Sequence, residues 1–125
     1  MIPKYRVWDK ELQTMLDVSL IDFKKGILVG EHWEFGETNF MSFDEIVLMQ
    51  STGLFDKNNK EIFEGDILGT KDGLLNGVVE YRTDLGMWTN SLIRYNNFER
   101  LCNIAGDREI IGNIYENPEL LEDKE

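Results

Sequence analysis

The chain has 125 residues, 42% hydrophobic and 11% aromatic, which is enough apolar material for one core and hence for a single domain over residues 1–125. Twenty-four acidic against 13 basic side chains leave a net charge of −11, which opposes non-specific attraction to nucleic acid and to anionic lipid and serves solubility. A single cysteine, Cys102, excludes an internal disulfide and any zinc site built from several thiolates.

From the N-terminus, Lys4 to Asp9 alternates in β-favouring residues, with Tyr5, Val7 and Asp9 on one side and Arg6 and Trp8 on the other, and Asp9-Lys10 reads as a turn. Met15 to Phe23 alternates again, so the two segments form an antiparallel hairpin. Lys24-Lys25-Gly26 breaks the pattern, and Ile27-Leu28-Val29 starts a short third strand that stops at Gly30. Between His32 and Asn39 the aromatics Trp33 and Phe35 suggest alternation that Gly36 interrupts, giving a strand-like segment or a loop. Phe43 to Gln50 contains Ile46-Val47-Leu48-Met49, an apolar run that suits a buried strand.

Further along, Asp56 to Lys60 is a run of turn formers between Leu54-Phe55 and Ile62-Phe63, a hairpin or tight-loop signal, and Glu64-Gly65-Asp66 leads into a strand at Ile67-Leu68. Strands follow at Gly77 to Arg82, Met87 to Leu92 and Glu109 to Tyr115, with Thr83 to Gly86 as the turn between the first two. The acidic tail Glu119 to Glu125, after Pro118, has room for one helical turn. No amphipathic helix of a dozen residues is present, so the fold class is mainly β, with short antiparallel strands. The second half suits an SH3-like, partly open barrel with the N-terminal strands packed on it.

Four segments resemble the YopX family: Lys4 to Lys10, Leu48 to Leu68, Val78-Val79-Glu80-Tyr81 with Trp88, and Ile110 to Leu120. The most specific is the second, with Gln50, Thr52, Gly53, Leu54, Asp56, Lys60, Glu64, Gly65 and Asp66 as its motif positions. Family members often carry glycine after the first Asn of its turn, where this chain has Asn59, a residue that also tolerates left-handed backbone. The resemblance implies a protein encoded by phages and prophages of Gram-positive bacteria, with no catalytic residues to carry over. Physically, Gly53 and Gly65 suit conformations that strain other residues. Asp66 can accept a turn N–H, and Leu54, Ile62 and Phe63 can anchor a core, so the motif reads as a structural staple.

Candidate chemistry fails on stated requirements. Asp56, Asn58 and Lys60 resemble the start of a calcium loop, but position five is a lysine and the required glycine is Glu61. His32 has no Cys or second His in ligand spacing, and Cys102 has no context that activates a thiol. Gly69, Gly73 and Gly77 lack the lysine and helix of a phosphate cradle. Trp88, Arg94 and Tyr95, near Tyr81-Arg82 and Arg100, form the one patch that could stack bases, set in a negatively charged chain.

The expectation is therefore a non-enzymatic protein-binding or assembly module that needs no cofactor or metal, has an unknown protein partner and forms a homo-oligomer through strand edges. Two alternatives stand beside it: an acidic inhibitor that mimics nucleic acid toward a host enzyme, and nucleic-acid binding through a barrel face. No apolar run approaches the roughly 20 residues of a membrane span, and the opening Met-Ile-Pro-Lys-Tyr-Arg lacks a signal peptide's apolar stretch. A bacterial cytoplasm, with no membrane partner, is the expected location.

Overall fold

The computed structural model describes residues 4–122. The chain divides into two compact units, Met1–Ser51 and Thr52–Glu125. The fold is mainly β, with antiparallel sheets and only short helical turns, and no helix among the described residues is long and apolar enough to cross a membrane.

In the first unit, β1 (Tyr5–Asp9) and β2 (Thr14–Asp22) form the expected hairpin, in register at Val7 with Leu16 and Asp9 with Thr14. The turn is longer than Asp9-Lys10. Asp9 Oδ1 accepts the N–H groups of Glu11 (3.0 Å) and Leu12 (3.1 Å), which closes the loop around a buried carboxylate. In β2 the register shifts between Val18 and Leu20, and the bulged Ser19 hydroxyl donates to the Val29 carbonyl at 3.2 Å.

β3 (Ile27–His32) runs through Gly30 instead of stopping there. The Gly30 N–H donates to Thr38 Oγ1 at 3.0 Å, and a Cβ at Gly30 would meet Leu16 Cδ1 at 2.8 Å, so this glycine admits a neighbouring side chain inside a strand. β4 (Gly36–Glu37) pairs with the end of β3, and β5 (Met41–Ser42) pairs with its start. Phe43–Glu45 is a 3-10 turn and not the start of a strand. The Ser42 hydroxyl accepts the Asp44 N–H at 3.3 Å while Glu45 Oε1 accepts the Ser42 N–H at 3.3 Å, a capping box that stops extended structure. β6 (Ile46–Phe55) then pairs with β1. The unit's core is Val7, Leu16, Leu28, Met41 and Ile46, flanked by Val18, Ile21, Phe43 and Leu48.

The boundary between the units falls inside β6. In the second unit the end of β6 pairs with β7 (Glu61–Phe63), and a five-stranded sheet follows from β8 (Asp66–Gly69), β9 (Gly77–Arg82), β10 (Met87–Leu92), β11 (Phe98–Arg100) and β12 (Glu109–Asn113). Its order is β11-β10-β9-β8-β12. The sheet ends on β11 and β12 and stays open, so no barrel closes. A one-turn helix, α1 (Leu101–Ile104), follows β11. The sequence places a strand from Glu109 to Tyr115, but β12 ends at Asn113 because Asn113 Oδ1 captures the N–H groups of Tyr115 (3.0 Å) and Glu116 (2.8 Å). Pro118–Leu121 is a 3-10 turn, as the tail suggests, and residues 123–125 of that tail lie outside the described residues. Ile62, Leu68, Val79, Leu101 and Ala105 are the second core, with Leu54, Trp88, Ile104 and Ile110 packed on it. Full burial of one such aliphatic side chain contributes about 2 kcal/mol.

Candidate binding surfaces

The family-like motif folds into a clamp. Backbone hydrogen bonds close the loop: the Asp56 N–H donates to the Lys60 carbonyl and the Asn59 N–H to the Asp56 carbonyl, both at 2.9 Å. Asp56 is buried, and both of its carboxylate oxygens are occupied by backbone donors. Oδ1 accepts from Asn58 and Lys60 (2.9 Å each), and Oδ2 accepts from Ile110, 54 residues away, at 3.0 Å. The Lys57 N–H donates to the Arg108 carbonyl at 2.9 Å, so the loop covers the start of β12. Burial pushes the Asp56 carboxyl up, but the bonds from Ile110, Lys60 and Asn58, with the Lys60 charge, together hold it below its ordinary value.

Asn59 has φ 63°, the left-handed conformation that glycine takes more readily, and Gly53 and Gly65 stand at φ 77° and 87°. Thr52 Oγ1 donates to the Ile62 carbonyl at 2.8 Å and accepts the Leu54 N–H at 3.1 Å. Asp66 Oδ2 accepts the Phe63 N–H at 2.8 Å, the turn contact expected of it. Gln50 is exposed on β6 opposite Tyr5, Lys60 is exposed at the loop, and Glu64 lies in the turn between β7 and β8.

Beside this clamp, Glu99 and Arg108 form a bidentate ion pair (Nη1 to Oε1 2.5 Å, Nη2 to Oε2 2.7 Å), and Asn90 Nδ2 adds a third bond to Oε1 at 3.1 Å. The Arg108 bond, against the opposing effect of burial and with help from Asn90, keeps the Glu99 carboxyl below its ordinary value. Sequence reading singled out neither Glu99 nor Arg108 as a partner of the other.

The three residues proposed as a base-stacking patch are not brought together. Trp88 borders one concavity, Arg94 another with Asn76 and Leu120, and Tyr95 a third with Arg82 and Phe98. The adjacent Arg94 and Tyr95 open onto different hollows because they lie in the connection between β10 and β11. The Trp88 concavity measures about 430 Å³ and is lined mainly by Leu54, Tyr81, Leu85 and Met87, with Arg100 and Cys102 also on its border.

The most exposed aromatics among the described residues lie elsewhere, at the tip between β3 and β4. Trp33 is 86% and Phe35 79% exposed. His32 fixes this tip: its Nδ1 accepts the N–H groups of Glu34 (3.0 Å) and Phe35 (3.3 Å), and its ring stacks on Trp33 at 5.6 Å and on Phe35 at 4.7 Å. Glu31, Glu34 and Glu37 are exposed around it. Alternation had hinted at the aromatics, but nothing in their spacing shows that they face solvent.

Among solved structures the chain is similar to protein EF1440 from Enterococcus faecalis, at 31% identity over 98% of this chain and 99% of that one, with a TM-score of 0.65. It shares its fold with protein yopX from Bacillus subtilis, at 23% identity over 98% of each chain and a TM-score of 0.60. No curated protein matches. The family model described as YopX protein matches residues 4–122, the whole described span, and the chain therefore belongs to the YopX family.

Proposed function

We propose that this chain is a non-enzymatic protein-binding or assembly module that engages its partner through the Trp33–Phe35 tip. The observation that carries the reading is the exposure of two large aromatics on a turn held in place by His32. Rigid exposed aromatics lose little entropy on docking and are the side chains that interface centres bury. Glu31, Glu34 and Glu37 around them, in a chain of net charge −11, favour a partner surface with basic groups at its rim.

The phage or prophage origin implied by the family resemblance and the bacterial cytoplasm expected from the lone cysteine and the N-terminal sequence belong to this reading. So does self-association, although the edge strands β4, β7 and β11 have only two or three residues, short for strand addition, and the start of the five-residue edge β12 is covered by the Asp56 loop. The acidic-inhibitor alternative shares the requirement for a basic partner. Direct nucleic-acid binding lacks a continuous track, since Trp88, Arg94 and Tyr95 border separate hollows.

The test is capture from a bacterial lysate with the wild-type chain and with a Trp33→Ala/Phe35→Ala variant, run at low and high salt. Because both side chains are exposed, the variant's stability should stay within about 0.5 kcal/mol of wild type. Its bound protein should fall at least tenfold, and wild-type binding should weaken with salt. The same protein held equally by both forms would reject the tip as the binding surface.

A further inference from the structure

The imidazole that orders the aromatic tip is the one histidine in the chain. Its ring lies nearly parallel to both exposed neighbours, at 26° to Trp33 and 24° to Phe35, while Nδ1 accepts the Glu34 and Phe35 N–H groups at 3.0 and 3.3 Å. Only an unprotonated Nδ1 can accept either bond, so this arrangement requires neutral His32 with its proton on Nε2.

Histidine is the side chain that changes charge between about pH 5 and 8. A proton on Nδ1 places a third N–H where two already converge, and both bonds are lost together. The charged residues on the surrounding elements do not oppose that change. On β3, on its paired strands β2, β4 and β5, and on the turn, they are Asp17, Asp22, Glu31, Glu34 and Glu37, every one acidic. Glu31 pairs with Glu37 across β3 and β4, and Asp17 faces Glu31 from β2. These carboxylates attract an imidazolium but cannot return a lone pair to Nδ1, so the charged ring has to leave the two N–H groups.

We propose that His32 is a pH switch on the Trp33–Phe35 tip: the neutral imidazole holds the two aromatic rings in one arrangement, and protonation releases them. A tip ordered in advance loses little entropy on docking, whereas a released one has to be reordered first, which weakens the complex. That effect on binding rests on the tip being the docking surface, while the release itself needs no partner.

The measurement is nuclear magnetic resonance of the 15N-labelled full chain from about pH 8 to about pH 5, where the single imidazole reports its own protonation. At the upper end the ring nitrogens should show the Nε2–H tautomer. As the imidazole titrates, the exchange protection of the Glu34 and Phe35 amides, corrected for the intrinsic pH dependence of exchange, should fall about fivefold, the worth of one hydrogen bond each. His32→Asn supplies an oxygen that accepts the same N–H groups and does not titrate, so its protection should stay level across the range. Capture from a bacterial lysate should fall about threefold between the two ends with the wild type and stay level with His32→Asn. The wild-type titration stands without the variant. An Nδ1–H tautomer at the upper end, amides that do not follow the imidazole, or an equal change in His32→Asn overturns the switch. Equal loss of captured protein by both forms assigns the pH effect to the partner and overturns the regulation. Amides that titrate as expected, while Trp33→Ala/Phe35→Ala captures as much as the wild type, support the switch and reject only the docking surface.

Discussion

Replacing Asp56 by alanine is expected to lower the unfolding free energy by about 3 kcal/mol, read from urea denaturation followed by circular dichroism. The carboxylate holds three backbone N–H groups at 2.9 to 3.0 Å, and two of them close a loop whose third contact crosses 54 residues to Ile110. Water can reach Asn58 and Lys60 once the side chain is gone, but Ile110 is half-buried and keeps most of its desolvation cost. Asp56→Asn should lose nearly as much, because one amide position presents a donor where an acceptor is needed. A motif that served only to bind a ligand would leave the midpoint unchanged.

The same carboxylate shapes the response to acid. Asp56 and Glu99 both have folded pKa values held below their ordinary values. The unfolded chain therefore binds protons more readily, and the stability these groups contribute is complete above the unfolded carboxylate range. It is lost as pH falls from roughly 5 through the depressed folded values.

The second large effect is expected at Arg108. Arg108→Met removes a bidentate partner from a carboxylate that is only 20% exposed, leaving Glu99 with the single bond from Asn90. A half-broken buried pair costs about 3 kcal/mol, which moves the urea midpoint by about 1 to 3 M at the slopes usual for small domains. Glu99→Gln with Arg108→Met should be less destabilised than the sum of the single variants by at least about 1 kcal/mol, since the second change removes the stranded charge. Additive losses would mean that the two groups act independently.

The hairpins were legible from alternation and turn residues alone: Val7 and Leu16 face each other across β1 and β2, and β9 and β10 flank the expected turn at Thr83 to Gly86. The two- and three-residue strands β4, β5 and β11 were not, because pairs that short carry no period to detect. Gly30 read as a breaker because the close approach of Leu16 is a tertiary fact. Asp56 was legible as a turn residue, but its bond to Ile110 was not, since a backbone N–H is common to every residue but proline.

The candidate surfaces divide in the same way. Trp88 drew notice by its aromatic character and does border a hollow, whereas Arg94 and Tyr95, close to it in sequence, open onto others. Trp33 and Phe35 were visible as aromatics, yet they sit on the turn between β3 and β4, where alternation says nothing about which side chains face solvent. Asn59 was the one departure from the family turn, and its left-handed backbone is the outcome that the chemistry of asparagine allows.

If the motif builds the fold and the tip meets the partner, the two should separate under hydrogen–deuterium exchange of the captured complex against the free chain. Binding should slow exchange at residues 31–37 and leave 56–66 unchanged. Slowing confined to 56–66, with 31–37 exchanging as in the free chain, would contradict the account.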